Sequence, residues 1–229
     1  MNDKSPLVSR RFLMASGSIA AVGLLGGSTK SLFAPEGGPS AFLAQISSAP
    51  PVADEPGRSS SLDPRLLKQA LAALDRHDKA IHQRDRIAIV DFSASSSKPR
   101  FHFLDVASGE TSRLLVAHGQ GSDPGHTGFL HSFSNAFGSN ASSEGAFVTG
   151  DYYVGKHGRS QRLVGLDGTN DNALGRAIVM HGAWYANADM LRTHGKLGRS
   201  QGCFAVGDND LDKVFGHLGK GRLLYAAKA

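Results

Sequence analysis

The chain has 229 residues, of which 40% are hydrophobic, and it contains 28 glycines, one cysteine and a formal net charge of +5. This length allows one buried domain and an N-terminal extension, and the many glycines favour a β-rich domain over a helical bundle. The mild positive charge suits an anionic polymer such as a cell wall, but the lysines and arginines form no basic stripe, so we expect no nucleic-acid partner.

Residues 1–44 are typical of an export signal. Arg10-Arg11 precedes Phe12-Leu13 and a weakly apolar run, Met14 to Gly27, that is too short to span a bilayer. Paired arginines at this place indicate a twin-arginine signal, and an ordinary secretory signal that happens to have two arginines is the alternative. We therefore expect an exported, periplasmic protein with no membrane span in its mature form.

Residues 45–61 are rich in proline and serine and are predicted to form a linker. Asp63-Pro64 then predicts the start of a helix, with aspartate as the N-cap and proline at the first helical position. Apolar residues repeat at helical spacing, so the helix is expected to continue to near His82 and to pack on the flank of one domain, residues 62–229. These apolar residues are Leu66, Leu67, Ala70, Leu71 and Leu74.

After Arg86 the pattern changes from helical to strand periodicity. A long polar loop, residues 118–140, interrupts the strands, and loops of this length in compact domains are often functional. Gly207-Asp208 predicts a further helix after the cysteine. We therefore predict a mainly β domain with two peripheral helices. The predicted strands cover residues 87–92, 100–106, 111–117, 145–154, 161–166, 177–182 and 222–226.

Cys203 is a candidate nucleophile because exported proteins usually pair their cysteines, so a single retained thiol suggests use. The alternative is an inert, buried cysteine. Gly202 leaves space beside the sulfur, and backbone N–H groups around Gly202-Cys203 are expected to bind an oxyanion. His181, at a strand end before Gly182, is the candidate base, because an imidazole can accept the proton of a nearby thiol. A structural histidine is the alternative.

Two segments, Ile178–Tyr185 and Gly195–Val206, together resemble the YkuD-type murein L,D-transpeptidase catalytic domain, in its catalytic domain-like 2 branch. The resemblance extends over residues 85–227 and rests mainly on a His-Gly pair combined with Ser-x-Gly-Cys. It implies a β-sandwich of mixed sheets with the cysteine in a groove, and neither a cofactor nor a metal.

The resemblance implies that Cys203 is the nucleophile and His181 the base. It also implies that the Gly182 carbonyl orients the imidazole, and that Ser200, Gln201 and Gly202 shape the cysteine loop.

Five residues are predicted to bind the substrate. The wider family has a charged residue where this chain has Gln201, and often an arginine where it has Ala205. Arg199 is the nearest replacement for a missing cation. The five predicted substrate-binding residues are Arg199, Gln201, His118, Ser122 and Tyr153.

The implied reaction is acyl transfer on peptidoglycan stem peptides, in which the cysteine forms a thioester at the third, L-centred residue. An amine acceptor gives a 3–3 cross-link, water gives an L,D-carboxypeptidase, and an amine of an envelope protein gives protein anchoring. Two other classes stay open at this stage. One is a zinc peptidase using His118, Asp123, His126 and His131. The other is a non-catalytic wall-binding module, which the loss of charge at Gln201 favours.

Overall fold

A computed structural model describes residues 62–229. The predicted export signal, residues 1–44, and the predicted linker, residues 45–61, lie outside the described residues. No helix within 62–229 is both long enough and apolar enough to cross a membrane.

The first helix, α1 (Pro64–Arg76), begins where the sequence predicts. The Asp63 carboxylate accepts the N–H of Arg65 at 2.7 Å and so satisfies one of the free donors of the first turn. The helix ends at Arg76 rather than near His82, and a hydrogen-bonded turn follows, in which Ile81 N–H donates to the His77 carbonyl. The apolar spacing that predicted a longer helix therefore runs on into a turn, with Ile81 buried.

Eight strands and two further helices complete the described part of the chain. Most predicted strands are present with shorter bounds. The strands are β1 (Arg86–Asp91), β2 (Phe101–Asp105), β3 (Thr111–Leu114), β4 (Gly145–Gly155), β5 (Gly158–Gly165), β6 (Val179–Gly182), β7 (Phe204–Val206) and β8 (Leu223–Ala227), and the helices are α2 (Asp189–His194) and α3 (Leu211–Leu218).

The fold is mainly β, as predicted, and hydrogen bonds join all eight strands into one mixed sheet in the order β3-β2-β1-β8-β4-β5-β6-β7. The strands form a single sheet because β8 pairs in parallel with β1 and antiparallel with β4. In this way β8 connects what would otherwise be two sheets. An isolated antiparallel bridge between Ala117 and Ala205 also links the chain after β3 to β7 at the far edge. The sheet therefore bends until its two ends meet.

Each face of the sheet carries its own apolar cluster. The inner cluster includes Phe101, Phe147 and Phe204, and α3 contributes Val214 to it. The outer cluster packs Leu66 and Ala70 of α1 against β1 and β8, which confirms the flanking position of this helix. Since burying one leucine side chain contributes about 1.5–3 kcal/mol, both clusters stabilise the strands that hold the site.

Candidate active site

Cys203 lies immediately before β7, in a loop that Ser200 closes. The Ser200 hydroxyl donates to the Cys203 carbonyl at 2.7 Å and accepts the N–H of Gly202 at 3.1 Å. Gly202 has φ of +108°, and a Cβ there would lie 2.7 Å from both the Ala141 carbonyl oxygen and the Ile178 side chain. Only glycine fits this position, since the backbone is left-handed and the space is filled.

The Gly202 N–H is thus already engaged inside the loop. Our expectation that N–H groups of both Gly202 and Cys203 bind an oxyanion needs correction at Gly202, because its donor is aimed at Ser200 Oγ. The N–H of Cys203 is the remaining donor of the pair for an oxyanion.

The Cys203 thiol is 6% exposed and donates a hydrogen bond to the Ala177 carbonyl, with Sγ 3.6 Å from the oxygen. Burial raises the pKa of this thiol, while the Val179 N–H and the charges of Lys156 and Arg176 act in the opposite direction. Ala177, a non-glycine residue, has φ of +56°, an uncommon conformation that turns its carbonyl toward the sulfur. The resting group is therefore a protonated thiol.

His181 lies on β6, the strand that pairs in parallel with β7. Its partner in the register is Ala205, two residues beyond Cys203, so the predicted base lies on the strand next to the one that follows the predicted nucleophile. The Nδ1 atom donates to the Gly182 carbonyl oxygen at 2.8 Å, because that oxygen can only accept. This contact fixes the tautomer in which Nε2 is unprotonated and open to a proton.

His181 is 1% exposed. Burial lowers the pKa of its imidazole, and His157 and Lys156 lower it further, whereas the hydrogen bond to Gly182 and the charge of Asp208 raise it. Within residues 62–229 the thiol hydrogen bond goes to Ala177, and none joins the sulfur to the His181 ring. The resting thiol and imidazole are therefore both neutral, and the thiol must leave its hydrogen bond with Ala177 to give its proton to the ring.

His157 is part of this arrangement, although the sequence did not point to it. It occupies the turn between β4 and β5, and its ring stacks on His181 with centroids 4.4 Å apart and planes 20° from parallel. In the sequence the segment is only a Gly-Lys-His-Gly gap between two strands. The contact follows from strand register, since Ser160 of β5 pairs with His181.

A family model described as L,D-transpeptidase catalytic domain (YkuD_2) matches residues 58–227, a range that contains both Cys203 and His181. The chain belongs to this family. The match confirms the resemblance that the sequence motifs indicated, and it covers the whole sheet of this L,D-transpeptidase domain.

Solved structures similar to the domain are also L,D-transpeptidases or cell-shape proteins. The LD transpeptidase LdtMt1 in complex with imipenem shares 12% identity over 62% of this chain and 59% of that chain, with a TM-score of 0.38. An L,D-transpeptidase from Xylanimonas cellulosilytica shares 13% identity over 63% of this chain and 61% of that one, with a TM-score of 0.38.

The helical cell shape determining protein Pgp2 from Campylobacter jejuni shares 15% identity over 70% of this chain, with a TM-score of 0.42. The match spans 55% of the Pgp2 chain, so this chain covers less than two thirds of each of these three structures. No curated protein matches the chain.

His118, a predicted substrate-binding residue of the L,D-transpeptidase domain, is instead buried in a charged network. It is 1% exposed, its Nδ1 accepts from Arg100 at 2.7 Å, and its Nε2 lies 3.3 Å from the Asp123 carboxylate. Burial, reinforced by the Arg100 charge, lowers the pKa of His118 to about 4. Both ring nitrogens are thus occupied inside the protein, and His118 supports the polar loop rather than touching a substrate.

Ser122 needs the same correction, whereas Arg199 stays a prediction for substrate binding. Ser122 is fully buried, and its hydroxyl oxygen accepts the N–H of Ser142 at 3.0 Å. The Arg199 guanidinium donates to the backbone carbonyls of Asp123 and Pro124, the latter at 3.1 Å. Arg199 therefore fastens the cysteine loop to the polar loop through Nη1.

A different cation, Arg176, lies beside the nucleophile loop. Its guanidinium donates to the carbonyls of Ser134 and Ala141, at 2.7 and 2.6 Å, and a Cβ at Gly202 would be 3.3 Å from it. The sequence missed this residue because it stands in an irregular segment before β6, outside the motif. The polar stretch that leads into the His-Gly strand, residues 167–176, was the available signal.

Gln201 and Tyr153 remain predictions for substrate binding. Gln201 is exposed next to Gly202. Tyr153 lies on β4 in the same cross-strand row as Ser160 and His181, with the Arg162 guanidinium 4.4 Å above its ring. Tyr153 also lines a cavity of about 560 Å³, whose lining includes neither Cys203 nor His181.

The zinc alternative lacks its ligand set in residues 62–229, where no group of three or more metal-binding side chains converges. His118 is engaged with Arg100 and Asp123, and His126 Nε2 lies 2.9 Å from the Leu197 carbonyl oxygen. The polar loop is therefore held together by hydrogen bonds among its own residues and with neighbouring segments.

Proposed function

We propose that this protein is an exported L,D-transpeptidase, a cysteine acyltransferase that acts on peptidoglycan stem peptides. The single observation that supports it most is the family match over residues 58–227, which includes a lone cysteine and a tautomer-fixed imidazole on adjacent strands. Cys203 is the nucleophile, His181 the base and Gly182 the residue that orients the base.

In the first half-reaction, His181 Nε2 takes the thiol proton as Cys203 Sγ attacks the carbonyl carbon of the third, L-centred stem residue. A tetrahedral oxyanion forms, and the Cys203 N–H donates to it. The bond to the terminal D-amino acid then breaks, and the imidazolium returns its proton to the leaving amine. The product is a thioester on Cys203 with neutral His181.

In the second half-reaction, the side-chain amine of a neighbouring stem attacks the thioester carbonyl. His181 takes a proton from this amine and gives it to the departing sulfur, which restores the thiol and completes a 3–3 cross-link. We choose an amine over water as the acceptor on the basis of family membership. An amine of an envelope protein would react with the thioester in the same way.

Export is part of the proposal because of Arg10-Arg11 and the apolar run behind it. A fusion of residues 1–44 to a reporter that folds before export should reach the periplasm. Replacing Arg10-Arg11 by Lys-Lys should block it, and export of the Lys-Lys fusion would remove the twin-arginine part.

The catalytic proposal is tested by incubating the purified protein with imipenem and weighing it. We expect a covalent adduct on the wild type and none on Cys203→Ala, with circular dichroism showing that the variant is folded. His82 is an exposed histidine outside the site, so His82→Ala serves as the matched control and should be acylated like the wild type. A wild type that stays unmodified, or an adduct that persists without Cys203, would contradict the proposal.

The acceptor is tested with a purified tetrapeptide stem. Formation of a 3–3 linked dimer, detected by mass spectrometry, supports transpeptidation, whereas accumulation of the tripeptide alone shows that water is the acceptor. A chelator should leave either product unchanged.

A further inference from the structure

His157 and His181 form a ring pair that the hairpin between β4 and β5 creates. The centroids are 4.4 Å apart and the planes differ by 20°, so one imidazole covers the face of the other. His157 itself is exposed, whereas His181 is 1% exposed. The outer ring therefore stands between solvent and the predicted base.

The hairpin holds His157 in place through its backbone. Gly155 pairs with Gly158, and Val154 with Arg159, so the turn is a tight two-residue connection. Gly158 has φ of +70°, which glycine adopts without strain. β5 also pairs with β6, where Ser160 lies opposite His181, and this pairing brings the turn beside β6. The position of His157 is thus set by three adjacent strands.

We propose that His157 is a positioning residue of the acyl transfer, which holds the plane of the His181 ring by stacking on it; this rests on the proposed function. The hydrogen bond from Nδ1 to the Gly182 carbonyl fixes one edge of the His181 ring, but rotation about that bond would still move Nε2. Contact across the ring face restricts this rotation. The two contacts together hold the His181 ring in one orientation, with Nε2 outside the Gly182 contact.

Charges from three directions act on this ring pair. The hairpin contributes His157 and Lys156, the short turn Asp208–Asp210 contributes Asp208, and the strand contributes the Gly182 carbonyl. Burial, His157 and Lys156 all lower the pKa of His181, while Gly182 and Asp208 raise it. Two stacked imidazoles also resist simultaneous protonation, so the pair favours a neutral His181 that can act as a base.

The test compares His157→Ala with His157→Phe, because phenylalanine keeps a flat ring over His181 and alanine removes it. Both substitutions are at an exposed turn, so both variants are expected to fold. The acylation rate at saturating imipenem is measured between pH 5 and 8, and the His181 ring is titrated by NMR in the free proteins. His82→Ala serves again as the histidine control.

We expect His157→Ala to lower the plateau rate about tenfold, because a misplaced base is inefficient. We expect His157→Phe to stay within about twofold of wild type, because an aromatic ring still packs on His181. The pKa of His181 should rise in the alanine variant, which exposes the ring and removes a like charge, so its acid limb should move to higher pH.

A plateau rate and a His181 titration that match wild type in His157→Ala would overturn the inference. Equal losses in both variants would also overturn it, since stacking would then not be the property that matters. A wild type that forms no adduct with imipenem would contradict the proposed function. If the pKa of His181 nevertheless shifts in His157→Ala, the contact between the two rings is still supported. The two failures are thus distinguishable.

Discussion

At the scale of single residues, the resting state of the site is a thiol and an imidazole that are both neutral. Burial raises the pKa of Cys203 and lowers the pKa of His181, so each group favours its uncharged form. The thiol donates its hydrogen bond to the Ala177 carbonyl. This arrangement favours general-base attack over a preformed thiolate–imidazolium pair.

The first prediction concerns the pH dependence of acylation. His181 acts as a base only when neutral, and its pKa lies below the ordinary value, so the rate should be constant at neutral pH and should fall only when the pH drops below about 6.5. The measurement is the rate of imipenem acylation against pH. An acid limb centred above pH 7 would show that His181 is stabilised in its protonated form.

The second prediction concerns Ser200, whose hydroxyl bonds two backbone groups of the nucleophile loop. Ser200→Ala leaves the Gly202 N–H and one acceptor without this partner, so the unfolding free energy should fall by about 1–3 kcal/mol. The acylation rate should fall as well, because the loop that carries Cys203 loses its closure. Thermal or urea unfolding measures the first effect. Ser112→Ala, at an exposed position of β3, is the control and should change neither quantity.

At the scale of elements, α1 depends on its N-cap. Asp63→Ala removes the acceptor for the Arg65 N–H and should destabilise the domain by about 0.5–2 kcal/mol. Lys68→Ala, at an exposed position of the same helix, is the matched control and should be near neutral. Urea denaturation of both variants measures the difference. Acylation by imipenem should be unchanged in both, since α1 packs on the outer face.

The elements also show how far the sequence could predict this protein. Cys203, His181 and Gly182 could be predicted as site residues because their motif is local, and β6, which carries His181, was expected at its position. The contacts of Arg199 could not be predicted, because they depend on where the carbonyls of Asp123 and Pro124 lie. His157 could not be found, since its contact with His181 requires the pairing of β4 with β5 and of β5 with β6.

The architecture shows the same limit. Periodicity predicted the mainly β class and most strand positions, but not that β8 would join β1 to β4 in one sheet. Strand order depends on contacts between distant segments, and periodicity carries information only about which face a residue takes.

At the scale of the whole molecule, the network of Arg100, His118 and Asp123 makes folding sensitive to acid. His118 has a pKa of about 4, below the ordinary value of an unfolded histidine. Burial acts to raise the pKa of Asp123, but donors from Thr127, Gly128 and His118 hold it at about 2. For both groups the unfolded chain binds protons more tightly than the folded one, so their stabilising contributions are lost as the pH falls.

Unfolding free energy should therefore decrease between about pH 6.5 and pH 4 as unfolded His118 becomes protonated and the folded form does not. The Asp123 contribution is lost at lower pH, toward about 2. His118→Gln should show a weaker dependence over the upper range, and His82→Gln should keep the wild-type slope. Urea denaturation at several pH values measures both. A slope unchanged in His118→Gln would contradict this assignment.

The central place of β8 has a consequence for how the chain reaches its native state. β1 and β8 are neighbours in the sheet, yet nearly the whole length of the domain separates them in the sequence. β4 also pairs with β8, so its pairing is incomplete until β8 is in place. Such distant contacts slow folding, because a long loop must close before they form. The two halves of the sheet can dock only after β8 has emerged from the ribosome. We therefore expect the domain to fold slowly, with the pairing of β8 among its last steps.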